Sequence, residues 1–541
     1  MPLILKSKSV RHWLFKVCTA AVGASVISGG GTENSMRAAE TAPVVSISSG
    51  QLKGIAVKSG AEFLGIPFAQ PPVSELRWRA PEPPKPWSGV RDAEAFGAPC
   101  TQTVQGDWNQ HDAETSKEDC LYLNVMTPQW PPKEPLPVMF WLHGGGNNGG
   151  TASSALYKDG TLYAHGVVLV TVNYRLGIFG FFSHPELTKE SAHRSSGNYG
   201  LLDQIAALRW VHDNIAKFGG DPKNVTAFGQ SAGGFDINLL MTSPLAKGLF
   251  QKAILQSGTL PTGLPSLSEM EKNDEKWAAS LKAPEGQGGI KYLRGLATEN
   301  ILKAVERPEG PGIPRVPIVP VIDGWVLSKP PGDIFAAGEE AGVPMIIGTN
   351  SREFEWKATA EESRKRLEGF YEKLAPKALQ AYGLADGGEG KTDPLYGPVA
   401  GQISADLQFR CPATTQAIWH NATHHPVYEY QLERAIPGHE AEGAPHSNDL
   451  VYVFGYYPKT GNIGGVFGET DYKLADLVEK YWTNFARTGN PNGPDLPKWP
   501  EFDGTQAFIR FTEDGQVVAD AGLRREQCDV YREVLKQRMA H

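Results

Sequence analysis

Cysteine is scarce in this chain. Five occur in 541 residues, at positions 18, 100, 120, 411 and 528, and no two stand at a zinc-type C-x-x-C spacing. No metal site and no organic cofactor are expected. Also missing is any apolar run of about 18 or more residues, the length a membrane-spanning helix needs, so no integral membrane segment is expected. No unit of roughly 20 to 50 residues repeats, which excludes solenoids and propellers. Positive charge is short as well: 52 Lys and Arg face 60 Asp and Glu, a net charge of −8. The first forty residues hold five basic and two acidic side chains, so residues 41–541 stand at −11. Such a surface repels phosphate backbones, and no nucleic-acid partner is expected.

The first forty residues differ from the rest. Lys6, Lys8, Arg11 and Lys16 make a basic start, residues 17–28 (VCTAAVGASVIS) are small and apolar, and three glycines follow. This is the layout of a secretory leader, which predicts export with cleavage between positions 29 and 42. Cys18 falls inside the leader. The other four cysteines are an even number, which suits two disulfides in an exported protein.

Beyond the leader, apolar β-rich runs alternate with helical patterns. LYLNVMTP, PVMFWLHGG, VVLVTVNYR, VTAFGQ, KAILQSG, PMIIGTN and VYEYQL read as strands. Between the third and fourth, residues 201–217 carry Ile205, Leu208, Val211 and Ile215 at helical spacing, and Gly219-Gly220 closes the segment. Strands that are apolar nearly throughout, alternating with helices, predict an α/β fold with a large, mostly parallel sheet covered on both faces. Residues 41–541 carry no linker, so one domain is expected there.

Two motifs bear chemistry. Residues 229–233 read Gly-Gln-Ser-Ala-Gly, between an apolar strand at 224–228 and the helical run FDINLLMTS. A serine hydroxyl needs exposure and a base to act as a nucleophile. A strand–turn–helix elbow supplies the exposure, and its tightness demands glycine two positions either side. The second motif, His143-Gly144-Gly145-Gly146, follows the strand PVMFWL. Glycines let backbone N–H groups approach a carbonyl oxygen on which negative charge develops.

With these in place the chain resembles the type-B carboxylesterase and cholinesterase family of α/β-hydrolases. The resemblance rests on FLGIPFAQPP, EDCLYLNV, FWLHGGG, VTVNYRLGIFGF, GNYGLLDQIAALRWVHDNIAKFGGDPKNVTAFGQSAGG, KAILQSG, HSNDLVYVFG and YWTNFARTGNPN. It implies a single α/β-hydrolase domain that cleaves small-molecule carboxylic esters without a cofactor. It places the acid of a Ser-Glu-His triad at Glu353 and the base at His446. The residues agree: Glu353 follows the strand at 344–348, and His446 follows the strand at 427–432, taken as the last of the core. Glu355 and His439 are the competing candidates. The resemblance further implies oxyanion donors at Gly145, Gly146 and Ala232, support for the histidine from Ser257 and Asp449, and disulfides Cys100–Cys120 and Cys411–Cys528.

The chain also departs from the family. Asn147 and Asn148 stand where an aromatic often follows the glycines, which predicts a wider, more polar acyl site unless both side chains cap the local turn. Phe354 stands where a glycine often follows the acid. Trp108, inside the first disulfide loop, is expected to pack as an ordinary loop residue. Amides, carbamates or lactones are alternative substrates for the same machinery, and a non-catalytic binding protein on this scaffold is the rival from another class.

Overall fold

The computed structural model describes residues 42–58, 60–258, 260, 262–306 and 318–539. The leader, with Cys18 and the cleavage range up to position 41, lies outside them. From Ala42 onward the chain forms one compact unit.

Its centre is an 11-stranded sheet. Starting from Val168–Val172, the order runs through Leu136–Leu142, Gly220–Gln230, Lys252–Gln256, Met345–Asn350 and Val427–Leu432 to Ala507–Phe511, parallel at every step. Tyr122–Thr127, Gly60–Pro67 and Ile55–Val57 extend one edge in antiparallel fashion, and Val517–Ala521 extends the other. The α/β architecture is the one expected. The sheet does not end at residues 427–432, however. Ala507–Phe511 pairs beyond that strand, and its outer neighbour Val517–Ala521 is mostly exposed, with little of the apolar alternation that marks a core strand. A small second sheet joins Val44–Ile47, Gly50–Lys53 and Val90–Asp92.

Both faces of the large sheet are buried, which is why its strands are apolar without alternation. Along Leu136–Leu142, Val138, Phe140 and Leu142 enter one core cluster and Met139 and Trp141 the other. The helix Tyr199–Asn214 is buried along nearly all its length and tightens into Ile215–Phe218. Gly219 then ends it at φ 87°, a left-handed conformation that glycine adopts without a Cβ penalty.

Two disulfides, Cys100–Cys120 and Cys411–Cys528, are formed. The second joins the helix Cys411–Ala422 to the C-terminal helix Arg525–Met539. No helix among the described residues is long and apolar enough to cross a membrane.

Candidate active site

The strand Gly220–Gln230 runs through the middle of the sheet and ends directly in the helix Ala232–Thr242, three residues earlier than the apolar pattern suggests. Ser231 alone makes the turn, at φ 56° and ψ −122°. A non-glycine residue there stores strain of about 1–3 kcal/mol, which its surroundings must hold in place. They do: the Ser231 N–H donates to the Gln256 carbonyl at 2.8 Å, and the Ser231 carbonyl accepts from Phe235 N–H at 2.8 Å. The flanking glycines are required sterically. A Cβ on Gly233 would lie 2.0 Å from the Leu142 carbonyl oxygen, and one on Gly229 would lie 2.6 Å from the Gly233 carbonyl carbon.

Glu353 follows the strand Met345–Asn350 and is buried. Its Oε2 lies 2.6 Å from His446 Nδ1. Its Oε1 accepts from Ser257 Oγ–H and from Asn350 N–H, each at 2.7 Å. His446 follows the strand Val427–Leu432, and its own N–H donates to the Glu353 carbonyl at 2.9 Å. The competitors lie elsewhere: Glu355 is exposed beside Lys357, and His439 is exposed beside Glu442.

Gln230 Nε2 stands 3.2 Å from His446 Nε2. An amide nitrogen only donates, so His446 Nε2 accepts and Nδ1 carries the proton given to Glu353. That is the tautomer a general base needs. No hydrogen bond joins Ser231 Oγ to His446 among the described residues. The imidazole is flanked by the rings of Phe354 at 4.2 Å and Phe409 at 5.0 Å, centroid to centroid. Phe409 belongs to a short π-helical stretch, Asp406–Arg410, a distortion common at functional sites. Gln230 and Phe409 were not singled out from sequence. The first occupies the variable position of the elbow motif, and a π-helical stretch has no pattern to read.

The supporting residues divide. Ser257 touches Glu353 directly. Asp449 does not touch His446: its Oδ2 accepts from Gln256 Nε2 at 2.8 Å and from the Tyr430 hydroxyl at 3.0 Å. It steadies the strand residue that holds the Ser231 amide.

Gly145 and Gly146 sit at φ 105° and 63°. A Cβ on Gly145 would lie 2.1 Å from the Gly149 carbonyl oxygen. The N–H groups of Gly145, Gly146 and Ala232 have no acceptor among the described residues. His143 anchors the loop: its ring stacks on Tyr174 at 4.5 Å, and the Tyr174 hydroxyl donates to its carbonyl at 2.8 Å. Burial pushes the His143 imidazole down to about 4, so it is neutral at neutral pH.

The two asparagines differ: Asn147 lines the cavity over Ser231, and Asn148 is not among its walls. Asn147 is buried and donates through Nδ2 to Asp236 at 2.9 Å, while Asn148 donates to the Gly146 carbonyl at 2.8 Å and caps the turn. Trp108 packs as a loop residue against the glycine turn, with part of its ring open. It is 43% exposed, and its ring edge lies 3.1 Å from where a Gly145 Cβ would be. A cavity of about 480 Å³ opens over Ser231, walled by Ala232, Phe235, Leu260, Ile318 and Phe409. Among the described residues no cluster of His, Cys, Asp and Glu could hold a metal ion.

The strained elbow serine and the backbone amides of Gly146 and Ala232 lie at one cavity, with a histidine paired to a buried glutamate beside Gln230. Residues 41–531 match the carboxylesterase family, and the chain belongs to it. It is 37% identical to a fumonisin B1 esterase of Sphingopyxis macrogoltabida over 470 residues, covering 85% of this chain and 84% of that one. It is 36% identical to carboxylesterase 1D of Rattus norvegicus over 502 residues, covering 83% and 85%. A solved structure of a PNB esterase superposes with a TM-score of 0.77 at 32% identity, covering 91% of this chain and 99% of that one. The protein is an ester hydrolase of this family.

Proposed function

We propose that the protein is an exported serine carboxylesterase in which Ser231 is the nucleophile, His446 the base and Glu353 the acid. One observation carries this reading above the others. His446 is held by Glu353 through Nδ1 at 2.6 Å, with its Nε2 left as an acceptor at the residue next to Ser231. Ser231 Oγ turns about its single χ1 torsion and replaces the Gln230 amide at that nitrogen as the ester enters.

The serine oxygen then adds to the ester carbonyl carbon while its proton passes to His446 Nε2. Glu353 stabilises the imidazolium and keeps the ring oriented. The carbonyl oxygen, now an anion, receives the N–H groups of Gly145, Gly146 and Ala232. Removing one such donor typically costs about 10²–10³-fold in rate. The alcohol leaves with the proton from His446. Water, activated by the same base, adds to the acyl-enzyme, and collapse returns the acid and Ser231. The elbow strain and the absent acceptors at the three amides both support this assignment. Export is supported by the leader pattern and by the two disulfides, which persist in oxidising compartments.

The test is covalent labelling. A fluorophosphonate should modify Ser231 alone, identified by peptide mass spectrometry, and Ser231→Ala should fold normally with kcat lowered roughly 10⁴–10⁶-fold. Turnover near the wild-type rate in Ser231→Ala ends the assignment. N-terminal sequencing of secreted or periplasmic material should begin between positions 30 and 42. An intact Met1 in that fraction ends the leader reading.

A further inference from the structure

The three amides assigned to the oxyanion come from two segments far apart in the chain. Gly145 and Gly146 belong to the loop after the strand Leu136–Leu142, and Ala232 to the first turn of the helix Ala232–Thr242. Their relative position decides whether they converge on one oxygen. The loop is rich in glycine and has little stiffness of its own. One side chain from each segment reaches across the gap. Asn147, next to Gly146, donates to Asp236 Oδ1 at 2.9 Å, and Asp236 lies one helical turn beyond Ala232. We infer that the Asn147–Asp236 hydrogen bond tethers the glycine loop to the nucleophile's helix, making both residues positioning residues for the oxyanion amides.

The surroundings fit a tether. Asn147 is fixed at both ends. Its backbone holds φ 57°, a region asparagine tolerates better than most residues, and its carbonyl accepts from Gly177 N–H at 2.7 Å. Asp236 is fixed too, because its second oxygen accepts from Gln204 Nε2 at 2.6 Å, on the buried helix Tyr199–Asn214. Nothing in this arrangement can swing without breaking a buried bond.

The arrangement is also costly, which argues against simple filler. Asp236 and Gln204 are wholly buried, and Asn147 is 3% exposed. Asn147 Oδ1 and Gln204 Oε1 have no partner among the described residues. Burial pushes the Asp236 carboxyl up to about 7. Three apolar side chains of similar volume would fill the space without desolvating a carboxyl and two amides. What they could not supply is a directional bond that fixes the loop against the helix. Misplacing catalytic donors by about 1 Å can cost on the order of 10²-fold in rate.

This inference rests on the assignment of Ser231 and the oxyanion amides. The test uses the full-length enzyme, Asn147→Gly, Asp236→Ala, which leaves Asn147 no acceptor, and the double variant. Asn147→Gly keeps the left-handed backbone while removing the bond. kcat should fall about 10- to 100-fold in each single variant, KM should change less than 3-fold, and the double variant should be no worse than the poorer single one. Affinity for an aryl trifluoromethyl ketone, whose adduct with the serine places an oxyanion on the three amides, should fall in parallel with kcat/KM. A merely structural role predicts lower thermal stability with kcat and ketone affinity kept. Asn147→Gly lies in a loop, so it decides the matter even if Asp236→Ala fails to fold. Wild-type kcat and ketone affinity in Asn147→Gly overturn the tether. If the wild-type enzyme is not labelled at Ser231, the nucleophile assignment falls and the tether with it.

Discussion

His446 meets Glu353 twice, through the imidazole Nδ1 and carboxylate Oε2 at 2.6 Å and through its backbone N–H and the Glu353 carbonyl at 2.9 Å. The backbone contact fixes the approach of the two loops, so the side-chain bond does not depend on loop flexibility. Glu353→Gln leaves the backbone contact intact and changes only the group that faces Nδ1. An amide nitrogen there favours the wrong tautomer, and kcat should fall about 10³–10⁴-fold. Glu355→Gln, whose carboxylate pairs with Lys357 in solvent, should change kcat less than 2-fold. Steady-state kinetics on the two variants checks this, and the opposite ranking moves the acid to Glu355.

Phe354 lies 49% exposed with its ring against His446. If His446 is the base proposed above, its imidazole turns cationic during the reaction, and an exposed phenyl ring over it stabilises that cation by about 0.5–1 kcal/mol. Phe354→Gly should lower kcat/KM about 2- to 5-fold, while Phe354→Tyr should retain most of it. Equal activity in all three would mean that the ring contact carries no catalytic weight.

The two disulfides should fail differently. Cys411–Cys528 closes a separation of 117 residues, worth about 5 kcal/mol in the chain-entropy model, and Cys100–Cys120 closes 20, worth about 3 kcal/mol. The first holds the C-terminal helix, whose Tyr531, Leu535 and Arg538 line the cavity. Cys528→Ser should therefore raise KM more than it lowers kcat. The second encloses Gln102, whose amide exchanges hydrogen bonds at 2.9 Å with both backbone groups of Gly150 at the end of the glycine loop. Cys100→Ser should lower kcat more than it raises KM. Thermal unfolding and kinetics on both variants separate the two effects.

What could be read from sequence was whatever depends on local sterics. Ser231 was legible because Gly229 and Gly233 must lack a Cβ for the turn to close, and that requirement is written within five residues. The strands from residues 121 to 432 were legible because burial on both faces makes them continuously apolar. The partnership of Glu353 with His446 spans 93 positions, and only resemblance to a family pointed to it. The Asn147–Asp236 bond was missed for the same reason: the two stand 89 positions apart, and nothing near Asn147 announces a buried carboxyl. Ala507–Phe511 was missed because its run of five residues, apolar at all but Arg510, is too short to stand out from the polar loops on either side.

Asp274, on the helix Leu267–Ser280, gives a stability prediction independent of catalysis. Its side chain is fully buried; Oδ2 accepts from Ser183 N–H at 2.8 Å, and Oδ1 has no partner among the described residues. Burial pushes its carboxyl up to about 8. Unfolded, the group would titrate near 4. Between about pH 4 and pH 8 the native state therefore holds a proton that the unfolded state has released. Stability from this group falls as pH rises through that window, by at most about 1.4 kcal/mol per pH unit. Asp236 and Glu429, both pushed up to about 7 by burial, act in the same direction and remain in a variant at 274. Asp274→Asn keeps an acceptor for Ser183 and removes one titration. Its stability relative to wild type should be near zero or slightly negative at pH 5 and should rise steadily to pH 8. Urea unfolding at pH 5, 6, 7 and 8 reads the difference directly. Parallel stability curves across that range would mean that Asp274 does not hold its proton in the native state.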